Sequence, residues 1–225
     1  MPGYPDGMIR QDRTLMQVDI ISDVICPWCF IGKKRFETAL ATRPDVKPET
    51  RWHPFELNPD FPAQGVDRQE YMELKFGGAD KAKEVYEPVK AAARSLGLAI
   101  DFDAIRRVPN TVKAHCLIHW AGEGDRQDRM VEALFQAYFI RHLDIGDDTV
   151  LATLAGETGL DPDDVRGKLA AAEDMNLIRA RARKVREQGV SGVPCFVFEQ
   201  RYPLAGAQEP DVFHRLFDKL AETDG

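Results

Sequence analysis

Apolar positions alternate along Gln17 to Val24 and then run together, with Val18, Ile20, Ile21, Val24 and Ile25 leading directly into Cys26. That pattern predicts a buried β-strand. Pro27 follows at once and suits the first turn of a helix, where its missing N–H costs nothing. The helix should run to about Ala41, ahead of Pro44. At about 100° per residue, Phe36 and Leu40 fall within roughly 20° of Cys29. Cys29 is therefore expected to face the core, with Cys26 at the exposed N-terminus of the same helix. A second strand is expected over Arg51 to Leu57, with Trp52, Phe55 and Leu57 apolar, and Pro54 argues for an edge position or an irregular end. Strand, helix, strand in succession implies a βαβ unit with a parallel pair.

From about Asp67 to Asp174 the periodicity is helical only. Ala79 to Leu96 reads as a helix with a possible bend at Pro88 and a stop at Gly97. Asn110 or Thr111 can cap a helix through Leu117, Trp120 and Ala121. Met130, Leu134, Phe135 and Tyr138 form one stripe, Val150, Leu151 and Leu154 another, and Asp161-Pro162 opens a further helix. Met175, Ile178, Ala182 and Val185 recur at helical spacing up to Gly189. Then come a short β run at Cys195 to Phe198, a turn near Gln200-Arg201, a hairpin partner at Tyr202 to Ala205, and a closing amphipathic helix through Val212, Leu216 and Leu220.

Composition narrows the function classes. The chain has 225 residues, 30% of them charged, with a net charge of −7 and no block of Lys/Arg. A nucleic-acid or anionic-membrane partner is not expected. Residues 1–15 read as a polar tail without a secretory signal, and no apolar run reaches spanning length. A cytoplasmic setting is the simplest expectation. The four cysteines, Cys26, Cys29, Cys116 and Cys195, are too few for a disulfide-stapled scaffold. In that setting a close pair reads as redox or metal chemistry.

Two cysteines separated by two residues at a helix N-terminus can close into a small disulfide ring. The helix dipole and its unpaired N–H groups stabilise negative charge there, and a thiol so placed can have its pKa lowered to roughly 3.5–7.5. Cys26 is the expected nucleophile and Cys29 the thiol that resolves the mixed disulfide. A zinc site needs about four ligands, and Cys116 and Cys195 are single. His115 and His119 lie at i, i+4 but lack a carboxylate or third histidine beside them, so no metal is expected. Val193-Pro194, between a glycine-rich turn and a β run, is the second anchor.

The segments Ser22-Asp23-Val24-Ile25-Cys26-Pro27-Trp28-Cys29-Phe30-Ile31-Gly32-Lys33, Trp52 to Pro59, Asn110 to His115 and Gly189 to Pro194 together resemble the FrnE-like branch of the DsbA family. The resemblance runs from Val18 to Leu220. It implies an α/β thioredoxin-like fold with an inserted all-helical domain: residues 16–66 and 175–225 the thioredoxin-like part, 67–174 the insert. It also implies a cis peptide at Val193-Pro194 facing the dithiol, where backbone groups hold a substrate chain, and it sets Asn110, Thr111 and His115 near the mouth. Trp28 would pack against substrate beside Pro27. Cys195 replaces a bulky apolar residue usual in that branch, and Cys116 an arginine; both read as core packing.

The expected activity is a thiol–disulfide oxidoreductase, also suited to isomerisation, acting on protein or small-molecule disulfides without a resident cofactor and with glutathione as a conceivable redox partner. The related kappa-class glutathione transferases and 2-hydroxychromene-2-carboxylate isomerases supply an alternative, a glutathione-dependent isomerase or transferase. Those relatives carry serine where this chain has Cys26. A third reading is a holdase using apolar surface of the insert. The Pro27-Trp28 pair by itself does not fix the redox direction.

Overall fold

The computed structural model describes residues 15–122 and 124–223, so the expected tail, apart from Leu15, lies outside the described residues. Strand β1 (Met16–Ser22) leads to helix α1 (Pro27–Ala41) and strand β2 (Pro48–Pro54). Next come β3 (Val66–Asp67), α2 (Arg68–Phe76), α3 (Ala79–Ser95), β4 (Arg107–Val108), α4 (Val112–Trp120), α5 (Asp125–Phe139), α6 (Asp148–Glu157) and α7 (Pro162–Ala170). The chain closes with α8 (Met175–Glu187), β5 (Cys195–Phe198), β6 (Tyr202–Ala205) and α9 (Pro210–Thr223).

Four strands form one sheet in the order β2-β1-β5-β6. The β1–β2 pair is parallel, as a crossover through α1 demands, and β5 and β6 are antiparallel. Alternation on β1 divides the core. Val18 and Ile20 pack into the main cluster with Cys29, Phe30 and Phe36 of α1, whereas Ile21 turns to the other face and meets Phe55 and Cys195. On the α1 side, the Phe36 ring centre lies 5.3 Å from Phe213 and 5.4 Å from Phe196, which seats α1 and α9 on the sheet. Helix α8 packs on β2 and α4.

Two details differ from the sequence pattern. Strand β2 starts at Pro48 and stops at Pro54. Beyond it the Phe55 N–H still reaches the Ser22 carbonyl at 3.0 Å, but the Leu57 N–H bonds instead to the Asp23 side chain at 2.7 Å, so the ladder ends. The helical stretch also contains a small antiparallel ribbon, β3–β4, with Val66 opposite Val108. Gly65 permits its close approach: φ is +70°, and a Cβ there would lie 2.5 Å from the Val108 carbonyl oxygen. As the spacing predicts, α3 runs through Pro88, which faces solvent.

The helices between β2 and β5 join the sheet's main cluster through a run of rings. Phe30 of α1 stacks on Phe135 at 5.1 Å and Phe139 at 5.9 Å. The contacts continue through Phe102 to Tyr86, stacked at 4.4 Å, and on to Phe76 and Tyr71. Among the described residues no helix is long and apolar enough to cross a membrane.

Candidate active site

Cys26 is the N-cap of α1, with extended φ/ψ of −86° and 113°, and Pro27 occupies the first helical turn. The Cys26 N–H donates to the Asp23 carbonyl at 3.0 Å, and the Cys26 carbonyl accepts from Cys29 N–H at 3.0 Å. The two cysteines therefore share one helical turn, close enough for Cys26 to act on the Cys29 thiol. All four cysteines are free thiols.

The environments of the pair are unequal, though less so than helical phase alone implies. Cys29 is 1% exposed, and Cys26, expected at an exposed helix end, is only 6% exposed. The correction has a specific cause: the chain at Val193 folds over the helix start, and Cys26 Sγ lies 3.6 Å from the Val193 carbonyl oxygen. The next peptide, Val193-Pro194, is cis. Burial, then the hydrogen bond and charge of Cys26, push the Cys29 thiol well above its ordinary value. Trp28 and Pro27 are half-buried beside the pair.

The approach of the Pro194 loop to α1 is built into both segments. A Cβ on Gly32 would sit 2.9 Å from Pro194 Cγ, so only glycine admits the proline there. The Pro194 carbonyl accepts from Gly206 N–H at 2.8 Å. Arg35 of α1 donates to the Ala207 carbonyl at 2.5 Å and pairs with Glu209.

A buried polar group lies behind the dithiol. Asp23 is fully buried, and one carboxylate oxygen holds the Leu57 N–H while the other is 3.5 Å from His115 Nε2. Nε2 also donates to the Phe55 carbonyl at 3.1 Å. Burial pushes the Glu56 carboxyl up against the pull of His115, and Arg186 donates to the Glu56 carbonyl while lying 4.0 Å from the Phe55 ring centre.

A strand feeding a Cys-Pro-Trp-Cys helix start, faced by a Val-Pro loop from the far end of the chain, is matched over residues 17–218 by the DsbA-like thioredoxin domain family. The chain belongs to that family. The protein YwbO of Bacillus subtilis is 30% identical over 201 residues, 89% of this chain and 94% of that protein. A solved structure described as a probable DsbA oxidoreductase from Streptomyces coelicolor superposes with a TM-score of 0.80 at 32% identity, covering 91% of this chain and 89% of that one. At 14% identity, 2-hydroxychromene-2-carboxylate isomerase shares the fold with a TM-score of 0.70 over 93% of this chain and 98% of its own.

Within this DsbA-like frame the remaining sequence-derived residues fall in two places. Val193 and Pro194 come to the dithiol. Asn110, Thr111 and His115 lie in the interior, at 4%, 4% and 3% exposure. Asn110 donates to the Phe61 carbonyl at 2.8 Å and accepts from Val112 N–H, capping α4 from one residue before its N-cap Thr111. His115 and His119 do not converge, since His119 Nδ1 turns to Arg181. Cys195 packs with Ile21 and Phe55 on the sheet face away from α1, and Cys116 is fully buried with its Sγ 3.7 Å from the Glu173 carbonyl. Two residues near the pair escaped the sequence reading. Asp23 carried a signal, being a carboxylate inside the apolar run that ends at Cys26. Tyr71 carried none; burial pushes its phenol up to about 12, with Cys26 among the charges that act on it.

Proposed function

We propose that this DsbA-like protein is a thiol–disulfide oxidoreductase in which Cys26 is the nucleophile and Cys29 the resolving thiol. The observation that carries the reading is the inequality of the two sulfurs: one at the helix N-cap against the Val193 carbonyl, the other sealed in the core with its pKa raised. The Cys26 thiolate attacks a substrate disulfide, forming a mixed disulfide and releasing one substrate thiolate. Cys29 then loses its proton and attacks the Cys26 sulfur. The substrate's second thiolate leaves, and the Cys26–Cys29 disulfide carries the two oxidised equivalents. Two equivalents of a thiol such as glutathione return the pair to the dithiol by the same two exchanges and leave as their own disulfide. Support for that partner is limited to the cytosolic disulfide reductase DsbM of Pseudomonas aeruginosa, solved with glutathione and similar to this chain in fold.

The substrate chain lies along Val193-Pro194 and against Trp28, whose half-buried ring and the Pro27 ring offer an apolar flank. Asn110 and His115 act from the interior as positioning residues, holding Asp23 and the segment after β2, and Thr111 is the N-cap of the helix that carries His115. Protein disulfides and small disulfides both fit this exchange, as does disulfide isomerisation when Cys26 attacks without resolution. The cysteine at position 26, where the glutathione-dependent isomerases and transferases carry serine, favours dithiol exchange over that alternative.

Reduction of insulin by the protein in the presence of glutathione or dithiothreitol tests the reading. Cys26→Ser should abolish the activity, and Cys29→Ser should lower it strongly. Full activity in Cys26→Ser would remove the named nucleophile. Aggregation suppression that persists without either cysteine, with no reductase activity in the wild type, would favour the holdase reading instead.

A further inference from the structure

Helix α8 carries Arg179, Arg181, Arg183, Lys184 and Arg186 against a single acidic residue, Glu187, in a chain whose net charge is −7. Arg181 and Lys184 line a cavity of about 550 Å³ bounded by β2, the C-terminal end of α4, the start of α5 and α8. No lining residue is acidic. Two of its other cationic or titratable groups are engaged, Arg51 with Glu49 at 2.8 Å and His53 with Asp19 at 2.6 Å. Among the described residues, neither Arg181 nor Lys184 has a carboxylate partner within ion-pair distance. Arg181 instead donates to His119 Nδ1 at 3.1 Å. Burial, and then the Arg181 charge, hold His119 below the ordinary histidine range against the pull of Asp174. The imidazole therefore accepts from the guanidinium and orients it.

The rest of the lining is Trp52 and Pro54 from β2, Val185 from α8, and the uncharged Gly122, Gln127 and Gln188. Apolar and neutral polar groups lined together with two cations are the make-up of a small-molecule site, and the volume is in the usual range. Cys26, Cys29, Trp28, Val193 and Pro194 take no part in it.

We propose that this cavity binds a small organic anion, its phosphate or carboxylate group held by Arg181 and Lys184 and its apolar part against Trp52, Pro54 and Val185. Charge-assisted hydrogen bonds from two cations, with apolar contacts, give such a ligand both orientation and affinity. The site is independent of the dithiol chemistry.

The test is titration of the full-length reduced protein with adenosine 5′-monophosphate, citrate and uncharged adenosine, followed by amide and indole NMR shifts. Saturable shifts at the Trp52 indole and Gly122 are expected with adenosine monophosphate, citrate or both, weakening as salt is raised, and none of comparable affinity with adenosine. A response to the nucleotide alone assigns phosphate, and to citrate alone carboxylate. The R181E/K184E variant, altered at two exposed positions, should bind at least about tenfold more weakly at an unchanged rate of insulin reduction. Absence of saturable shifts with either anion, equal affinity for adenosine, or undiminished binding by the double variant would overturn the proposal. The binding readouts stand whether or not the reductase activity is found.

Discussion

At the residue scale, the two sulfurs of the Cys26–Cys29 pair were only half legible. Helical phase correctly turned Cys29 inward, because that depends on local spacing alone. The cover over Cys26 was not legible, because it comes from the Val193 carbonyl 167 residues away. The raised Cys29 thiol has a kinetic consequence. Resolution of the mixed disulfide requires the Cys29 thiolate, so the second step should accelerate with pH, by about tenfold per unit while the pH is below the Cys29 pKa. Stopped-flow measurement of substrate-thiol release from the preformed mixed disulfide checks this; a pH-independent second step would contradict it. Cys116 gives a stability counterpart. Burial, then Asp174, push its thiol up to about 12 from an ordinary value near 9.0, so the folded chain holds that proton more tightly than the unfolded one. Its stabilisation is complete below about pH 9 and falls as pH rises toward 12, amounting to about 1 kcal/mol lost by pH 10. Urea denaturation at pH 7 and pH 10 should show a smaller loss in Cys116→Ala than in the wild type.

At the element scale, α1 is the part that the sequence described best. Pro27 at its start and an apolar face led by Cys29 and Phe36 are local signals, and the helix ends at Ala41 as that pattern requires. Its attachments are long-range and were not legible. Gly32 exists for the Pro194 ring, and Gly32→Ala should push α1 and the Val193 loop apart. The expected cost is about 1–3 kcal/mol in chemical denaturation, with a larger fractional loss of reductase activity than of stability at working temperature. Unchanged activity would mean that the loop does not serve the dithiol. Lys33, 2% exposed, is held between Glu37, Asp128 and Glu132, the last two on α5. Those carboxylates outweigh its burial and raise the ammonium pKa. Lys33→Met removes the buried cation and leaves Glu37 and Glu132 with Lys34 as their shared partner, and a loss of about 1–3 kcal/mol is expected by the same measurement. Strand β2 shows the opposite case, in which Pro54 announced an edge and an end while the true start at Pro48 carried no apolar signal.

At the scale of the whole molecule, the order of strands and helices followed from periodicity, yet the joining of the sheet to the intervening helices did not. That joint is aromatic: Phe30 is fully buried against Phe135 and Phe139, and the rings continue to Tyr71. Ring contacts between segments a hundred residues apart leave no periodic trace. A core continuous across this joint should unfold in one step. Phe30→Ala should cost about 3–5 kcal/mol while the transitions followed by circular dichroism and tryptophan fluorescence stay coincident. Two separated transitions in the wild type would show that the halves fold independently. The small β3–β4 ribbon, too short for alternation to register, escaped for a related reason: its pairing is set by Gly65 and by the approach of Val108.

The central claim is that Cys26 attacks and Cys29 resolves, and trapping tests it most directly. Cys29→Ser, incubated with an oxidised substrate and analysed by mass spectrometry after peptide mapping, should accumulate a mixed disulfide at Cys26, while Cys26→Ser accumulates none at Cys29. A mixed disulfide at Cys29 in the Cys26→Ser protein, with Cys26 unmodified in Cys29→Ser, would contradict it.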